Sequence, residues 1–236
     1  MTNPIRQLEP ELKALLLSHL KENNQLEALD IIISEFTVAN YSRRVDLATF
    51  CHNEWHAYEI KSIGDSLTRL EGQISTYLQY FDRVTVVANK KHIDKVTQIA
   101  PKSVGIWLAE ERGQIKIIRK GRSKKVKTKP QLIEMMTVSE LARLAKEQGV
   151  YKGSMKRKDL VNVASSLKVE LLREGVFKSL AKKYAPTTNS FLEQTKHQQV
   201  SPKLVQSLSL YGNQTTQETL ERMTMDEMLG ALESLL

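Results

Sequence analysis

The sequence has little of several things, and each shortage closes off a class of protein. One cysteine, Cys51, stands among 236 residues, so neither a disulfide scaffold nor a Cys-rich structural zinc site can be built. Apolar runs such as Ala14-Leu15-Leu16-Leu17 and Ile31-Ile32-Ile33 fall far short of the roughly 20 residues that cross a bilayer. The opening Met1-Thr2-Asn3-Pro4 carries no basic segment, apolar stretch or cleavage site of a secretory signal. The expected compartment is therefore the reducing cytoplasm, with no membrane partner. No G-x-x-x-x-G-K-[ST] segment occurs, which argues against ATP-driven chemistry. What is present, 41% hydrophobic and 26% charged residues, describes a globular chain long enough for one domain with an extension or two small ones.

The charge is unevenly placed. Lys and Arg outnumber Asp and Glu by 35 to 27, yet residues 112–183 hold 20 of the basic and only 6 of the acidic residues, leaving a net −6 for the rest. The densest part, Arg112 to Lys129, includes Lys120, Arg122, Lys124 and Lys125 and contains no acid. Such a stretch attracts a polyphosphate by counterion release, in a way that weakens with salt. Charge alone does not choose among DNA, RNA, anionic lipid and a solvated loop with no partner.

Hydrophobic spacing sketches the fold. Leu8, Leu12, Leu15, Leu16 and Leu20 predict an amphipathic helix over 4–22. Residues 44–50 and 55–61 read as a strand pair joined by Cys51-His52-Asn53-Glu54. A helix is predicted over 66–81, opened by Gly64-Asp65-Ser66, and another over 92–100. Strands are predicted at 84–88, 104–108 and 115–118. Beyond the basic loop the pattern is helical, at 138–148, 157–166 and 169–184, with a linker expected at Pro186-Thr187-Thr188-Asn189-Ser190. From Phe191 onward, short helices are expected around Pro202, Gly212 and Gly230, a region suited to a dimer contact or a protein partner. The fold class is thus α/β, a mixed β-sheet flanked by helices and followed by an all-helical C-terminal region. The expected division is a core over 1–120, a basic helical region over 121–185 and a helical extension over 186–236.

One constellation carries chemistry. Asp46 on the first strand of the pair comes to the same sheet end as Glu59 and Lys61 on the second, and those two share a face because strand side chains alternate. Carboxylates and carbonyls make a hard oxygen site suited to Mg²⁺ or Mn²⁺, and a neighbouring lysine can stabilise charge or help deprotonate a water. Glu11-Leu12-Lys13 has the same E-x-K form, but on a helix its charges splay apart. The competing reading of Asp46, Glu59 and Lys61 is an exposed, salt-bridged strand end. Gln73 and Tyr77 lie four apart and share a helix face, although Tyr77 also fits the apolar stripe. Arg44 suits either a phosphate clamp or a partner for Asp46. His52 and His56 are expected to face solvent, Cys51 lacks a base that would make it a nucleophile, and Trp55 and Trp107 read as packing residues.

Asp46 with Glu59-Ile60-Lys61 resembles the PD-(D/E)XK, restriction-endonuclease-like superfamily, and Gln73-Ile74-Ser75-Thr76-Tyr77 is similar to the Q-x-x-x-Y motif of its RecB-like branch. The longer string from Glu35 to Phe81-Asp82-Arg83-Val84 looks like an uncharacterised bacterial and phage group within it, over residues 5–110. The resemblance implies a restriction-endonuclease-like sheet in which Gln73 and Tyr77 contact nucleic acid. It also implies that an acid from a preceding helix completes the metal site, matched here to Glu35. Thr137 to Lys146, Gly149-Val150 and Lys156 to Val161 are similar to SAP-like and Rho-N-like modules that bind nucleic acid backbones. The expectation is a Mg²⁺- or Mn²⁺-dependent deoxyribonuclease. Glu35, Asp46 and Glu59 would hold metal, Asp46, Glu59 and Lys61 would be catalytic, and Arg44, Gln73, Tyr77, Lys120, Arg122, Lys124 and Lys125 would bind substrate. The alternatives are a non-catalytic DNA-binding or adaptor protein retaining the fold, and an RNA-directed nuclease.

Overall fold

A computed structural model describes residues 8–52 and 54–209. Helix α1 (Glu9–Glu22) carries Pro10 in its first turn, where no backbone N–H is needed, and buries Leu12, Leu16, Leu17 and Leu20. Strands β1 (Ile31–Val38), β2 (Arg43–Phe50) and β3 (Trp55–Lys61) form an antiparallel meander. Helix α2 (Leu70–Tyr80) then crosses to β4 (Arg83–Asn89), and α3 (Ile93–Ile99) crosses to β5 (Gly105–Ala109), so β3, β4 and β5 are parallel. Strand β6 (Ile115–Arg119) returns antiparallel, and the mixed six-stranded sheet runs in sequence order. Among the described residues five helices follow: α4 (Lys129–Glu134), α5 (Val138–Glu147), α6 (Arg157–Ser166), α7 (Val169–His197) and α8 (Pro202–Gln206).

The strands' alternation divides the core between the two faces. Trp55, Ala57, Val84 and Val86 pack with residues of α2 and α4–α7, whereas Tyr58, Ile60, Val87 and Trp107 pack with α1 and α8. Strand β1 is not among the strands expected from spacing. Its Ile31-Ile32-Ile33 run is buried on both faces and shows no period of two for a reader to find.

Three other expectations are corrected. The linker expected at 186–190 is the interior of α7. A mid-helix proline forfeits one hydrogen bond at a cost of about 3 kcal/mol, but this part of α7 is held by tertiary contact. Thr188 is fully buried, and its hydroxyl accepts from the Ile32 amide (2.9 Å) and donates to the Ile32 carbonyl (3.3 Å). The Ser34 amide donates to the Leu208 carbonyl (3.3 Å), so the outer edge of β1 is covered rather than open. Helix α2 starts at Leu70 rather than Ser66, because the Asp65 carboxylate turns back to accept from the Ser62 amide at 2.6 Å. His56 is buried against the Thr85 hydroxyl (2.8 Å) instead of facing solvent, whereas His52 is exposed. Of the short helices expected near the C-terminus, α8 is described at Pro202, and the positions around Gly212 and Gly230 lie outside the described residues.

Candidate active site

The site is built where the β2–β3 ladder opens. Pairing runs from Phe50–Trp55 to Leu47–Tyr58, which carries Asp46 opposite Glu59. There the Asp46 carboxylate, not a β2 carbonyl, accepts from the Ile60 amide at 2.6 Å. Strand β3 meanwhile stays paired with β4 as far as Lys61–Ala88, so the rung is held from one side. Glu59 and Lys61 point to the face that α2 covers. The Lys61 ammonium donates to Glu59 Oε1 (2.6 Å) and to Gln73 Oε1 (3.2 Å). One turn on, the Tyr77 hydroxyl donates to the Arg44 carbonyl (2.7 Å), so the Q-x-x-x-Y face of α2 fastens β2 and the E-x-K segment of β3 together. Tyr77 is also fully buried, in keeping with the apolar stripe, and its hydroxyl is engaged by the Arg44 carbonyl.

The neighbouring rung is irregular. Ser34 pairs with Leu47 and Phe36 with Val45, placing Glu35 opposite Asp46, yet Glu35 adopts φ 63° and leaves the ladder. A non-glycine residue in the left-handed region is uncommon and carries a backbone cost that the surrounding packing must hold. Its effect is visible in the packing: Ile31 and Ile33, then Phe36 and Val38, belong to one apolar cluster, as do Val45, then Ala48 and Phe50. Both strands therefore shift their inward phase by one residue at the Glu35/Asp46 rung. Acids that regular pairing would set face to face on a flat sheet are instead turned toward α1. The acid matched to a helix position thus lies on a strand, and it is Glu9, in the first turn of α1, that brings a helix carboxylate. Ligand oxygens of Glu9, Glu35 and Asp46 all lie within 4.8 Å of one another.

Lys13 balances part of this charge. Its ammonium contacts Glu35 and bonds Glu9 (2.8 Å) and the Ser34 hydroxyl (3.4 Å), and the side chain is buried. The Glu11-Leu12-Lys13 triplet, inert on sequence grounds, therefore supplies one member of the site. Arg44 reaches across to Glu35 (Nε–Oε2, 2.6 Å) with most of its side chain exposed, so it pairs with Glu35 rather than Asp46.

The electrostatics are those of crowded carboxylates. Burial, reinforced by the Glu59 charge, pushes the Asp46 carboxyl well above the ordinary range, against the pull of the Ile60 amide. Burial also raises Glu59, opposed by the Lys61 ammonium and by the Tyr77 and Gln73 side chains. Desolvation alone would lower Lys13, but Glu35 and Glu9 together leave it raised. Glu59 is 1% exposed, and its Oε2 has no hydrogen-bond partner. A buried carboxylate oxygen without a donor is costly unless a cation completes it. The oxygen-only donor set and that orphaned atom fit a hard divalent cation.

The basic residues are not gathered here. After β6 the chain turns at Gly121 (φ +74°), where a Cβ would lie 2.5 Å from the Gly105 nitrogen, and crosses the N-terminal ends of the parallel strands. Arg122 N donates to the Ser103 carbonyl and Lys124 N to the Asp82 carbonyl. Lys120, Arg122, Lys124 and Lys125 are exposed near the start of β3, whereas Glu59 and Lys61 close its other end. Six residues at about 3.3 Å each separate the two ends by roughly 20 Å. Glu9 and Lys13 are the members that sequence reading missed. Their signal was available only as an acid and a base one helical turn apart, a spacing common on solvated helix faces.

The family model described as bacteriophage P4 protein cII matches residues 4–209. Protein cII of Enterobacteria phage P4 is 34% identical over 188 residues, covering 78% of this chain and 70% of its own. Among solved structures, the SPO1766 protein of unknown function from Silicibacter pomeroyi aligns over 61% of this chain and 94% of its own, at 17% identity and a TM-score of 0.39.

Proposed function

The chain belongs to the bacteriophage P4 protein cII family, and for this member we propose a metal-dependent nuclease that hydrolyses phosphodiester bonds in DNA. The observation that carries the reading is the opened rung that sets Asp46 opposite Glu59, with Lys61 bonded to Glu59 and Gln73 and with one buried Glu59 oxygen left unpartnered. Glu9, Glu35 and Asp46, whose ligand oxygens lie within 4.8 Å of one another, are the residues that would hold Mg²⁺ or Mn²⁺, and Glu59, whose charge acts on Asp46 across the rung, would join them. A divalent cation bound there supplies Lewis-acid stabilisation of a phosphoryl oxygen and lowers the pKa of a water. Lys61, held by Glu59 and Gln73, is placed to stabilise developing charge at the phosphate. Arg44, with most of its side chain in solvent, is placed to receive a neighbouring phosphate. Tyr77 acts through β2, keeping Asp46 in register with Glu59.

The exposed basic segment, roughly 20 Å from the carboxylates, supports a substrate long enough to bridge both ends of the sheet. Helices α5 and α6 add a helix–turn–helix edge with Lys156, Arg157 and Lys158 exposed at the start of α6. Purified protein should cleave single-stranded, linear or supercoiled DNA with Mg²⁺ or Mn²⁺ and not with EDTA. Glu59→Ala and Lys61→Ala should abolish cleavage while circular dichroism and salt-sensitive DNA binding persist. Undiminished turnover in Glu59→Ala would overturn the assignment, and binding without cleavage in the unaltered protein would favour the adaptor reading.

A further inference from the structure

Away from the carboxylates, which meet the N-terminal turn of α1, a cavity of about 510 Å³ lies between the C-terminal end of the same helix and strands β2, β3 and β5. Its wall is unusually aromatic for a chain with only 6% Phe, Trp and Tyr. His19 and Tyr58 both meet the Trp107 ring edge to face, at 5.4 and 5.8 Å, and His56 stacks on Tyr58 at 3.9 Å. Two lining donors, Trp107 Nε1 and Arg83 Nε, are buried with no hydrogen-bond partner. Trp107 itself is 6% exposed, so its indole behaves as the packing residue expected from sequence while leaving its one polar atom unsatisfied. A buried donor without an acceptor costs of order 1–3 kcal/mol, and two on one cavity wall ask for an acceptor from outside the chain. The cavity's charged side chains are Glu54 and Arg83, which pair with each other at 3.0 Å, and Lys120, which is exposed and has no ion pair among the described residues, so the cation left over is Lys120. A ligand that answers all of this is flat, aromatic, rich in hydrogen-bond acceptors and anionic at one end.

We propose that this cavity binds a nucleoside 5′-monophosphate, with the base against His19, Tyr58 and Trp107 and the phosphate at Lys120. Every nucleobase offers a π-face for an aromatic wall and ring-nitrogen or carbonyl acceptors for the unpartnered N–H groups. Lys120 begins the exposed basic stretch that continues through Arg122, Lys124 and Lys125, so the same chemistry could come from a free nucleotide or from the terminal nucleotide of a strand lying along that stretch. The proposal is independent of the carboxylate site.

The test is titration calorimetry of the full chain in EDTA with AMP, GMP, CMP and UMP, adenosine, inorganic phosphate and a 5′-phosphorylated oligothymidylate. At least one nucleotide should bind more tightly than about 1 mM and more tightly than adenosine or phosphate. Trp107→Phe, which keeps the ring but removes the donor, should weaken binding about fivefold. Lys120→Ala and His19→Ala, both at the surface, should also weaken it and remain informative if the Trp107 variant does not fold. Glu59→Ala should bind like the unaltered protein, which separates this site from the carboxylates. Mononucleotides alone binding would assign a free nucleotide, and equal or tighter oligonucleotide binding a strand end. No binding at 1 mM, binding of phosphate as tightly as of nucleotide, or indifference to all three cavity substitutions would overturn the proposal.

Discussion

Arg173→Met should destabilise the fold by about 3–5 kcal/mol, the cost of stranding one partner of a buried ion pair. The carboxylate it would strand is Asp82, whose side chain is fully buried. Asp82 accepts from Trp55 N (3.0 Å), Val126 N (2.7 Å) and both terminal nitrogens of Arg173 (2.9 and 2.7 Å). The guanidinium also lies 4.1 Å from the centre of the Trp55 ring. This cluster ties β3, the basic segment and α7 at one point. Methionine keeps most of the apolar stem but leaves the charge with two amide donors. For a chain of this size the loss corresponds to a fall in Tm of about 6–20 °C, and urea unfolding at pH 7 should show a lower midpoint with an unchanged slope. Asp82→Asn should be similarly costly. The double variant should cost less than the sum by at least about 2 kcal/mol, because neither charge is then left alone. A loss below about 1 kcal/mol for Arg173→Met, or additive single losses, would show that the pair is not the clamp described here. Metal affinity should be unchanged throughout, since the clamp sits at the far end of β3 from Glu59.

Asp46→Asn tests the carboxylate crowding. Burial and Glu59 raise the Asp46 carboxyl in the folded state above its unfolded value, so the folded protein holds the proton more tightly. That contribution to stability is complete below the unfolded pKa and is lost as pH rises through the folded one. In EDTA, denaturant unfolding should show the unaltered protein losing stability upward from about pH 4 relative to Asp46→Asn; parallel pH profiles would remove the basis for the crowding. Lys13→Met takes the internal ammonium away from Glu9 and Glu35 and should lower Tm in EDTA. Saturating Mg²⁺ should recover more of Tm in this variant than in the unaltered protein; a metal-independent deficit would mean that Lys13 serves packing alone.

The placement of basic residues bears on how a substrate would be held. An exposed lysine or arginine contributes chiefly long-range attraction and backbone contacts, both weakened by salt. Lys124 and Lys125 emerge at the end of the sheet where Asp82 fixes the chain through the Lys124 and Val126 amides. The direction in which that segment crosses the strand ends is therefore set by a buried carboxylate and not by the charges it displays.

Spacing along the chain is enough to specify the periodic helices, the Arg44–Lys61 hairpin, the shared sheet end of Asp46 and Glu59, and the common face of Gln73 and Tyr77. Those features follow from spacings of two and of three to four residues, which any folded chain must obey. Tertiary structure alone decided the rest. Strand β1 is buried on both faces, which erases its alternation, and the phase shift at Glu35 depends on a left-handed backbone conformation that no spacing announces. Glu9 and Lys13 entered the site because α1 packs against the opened rung, a contact between segments some 20 to 40 residues apart in the chain. Pro186 continues a helix because Thr188 docks on the edge of β1, outweighing a local preference to break. Local propensity is a sum over near neighbours, whereas burial, charge crowding and edge protection depend on which distant surfaces meet.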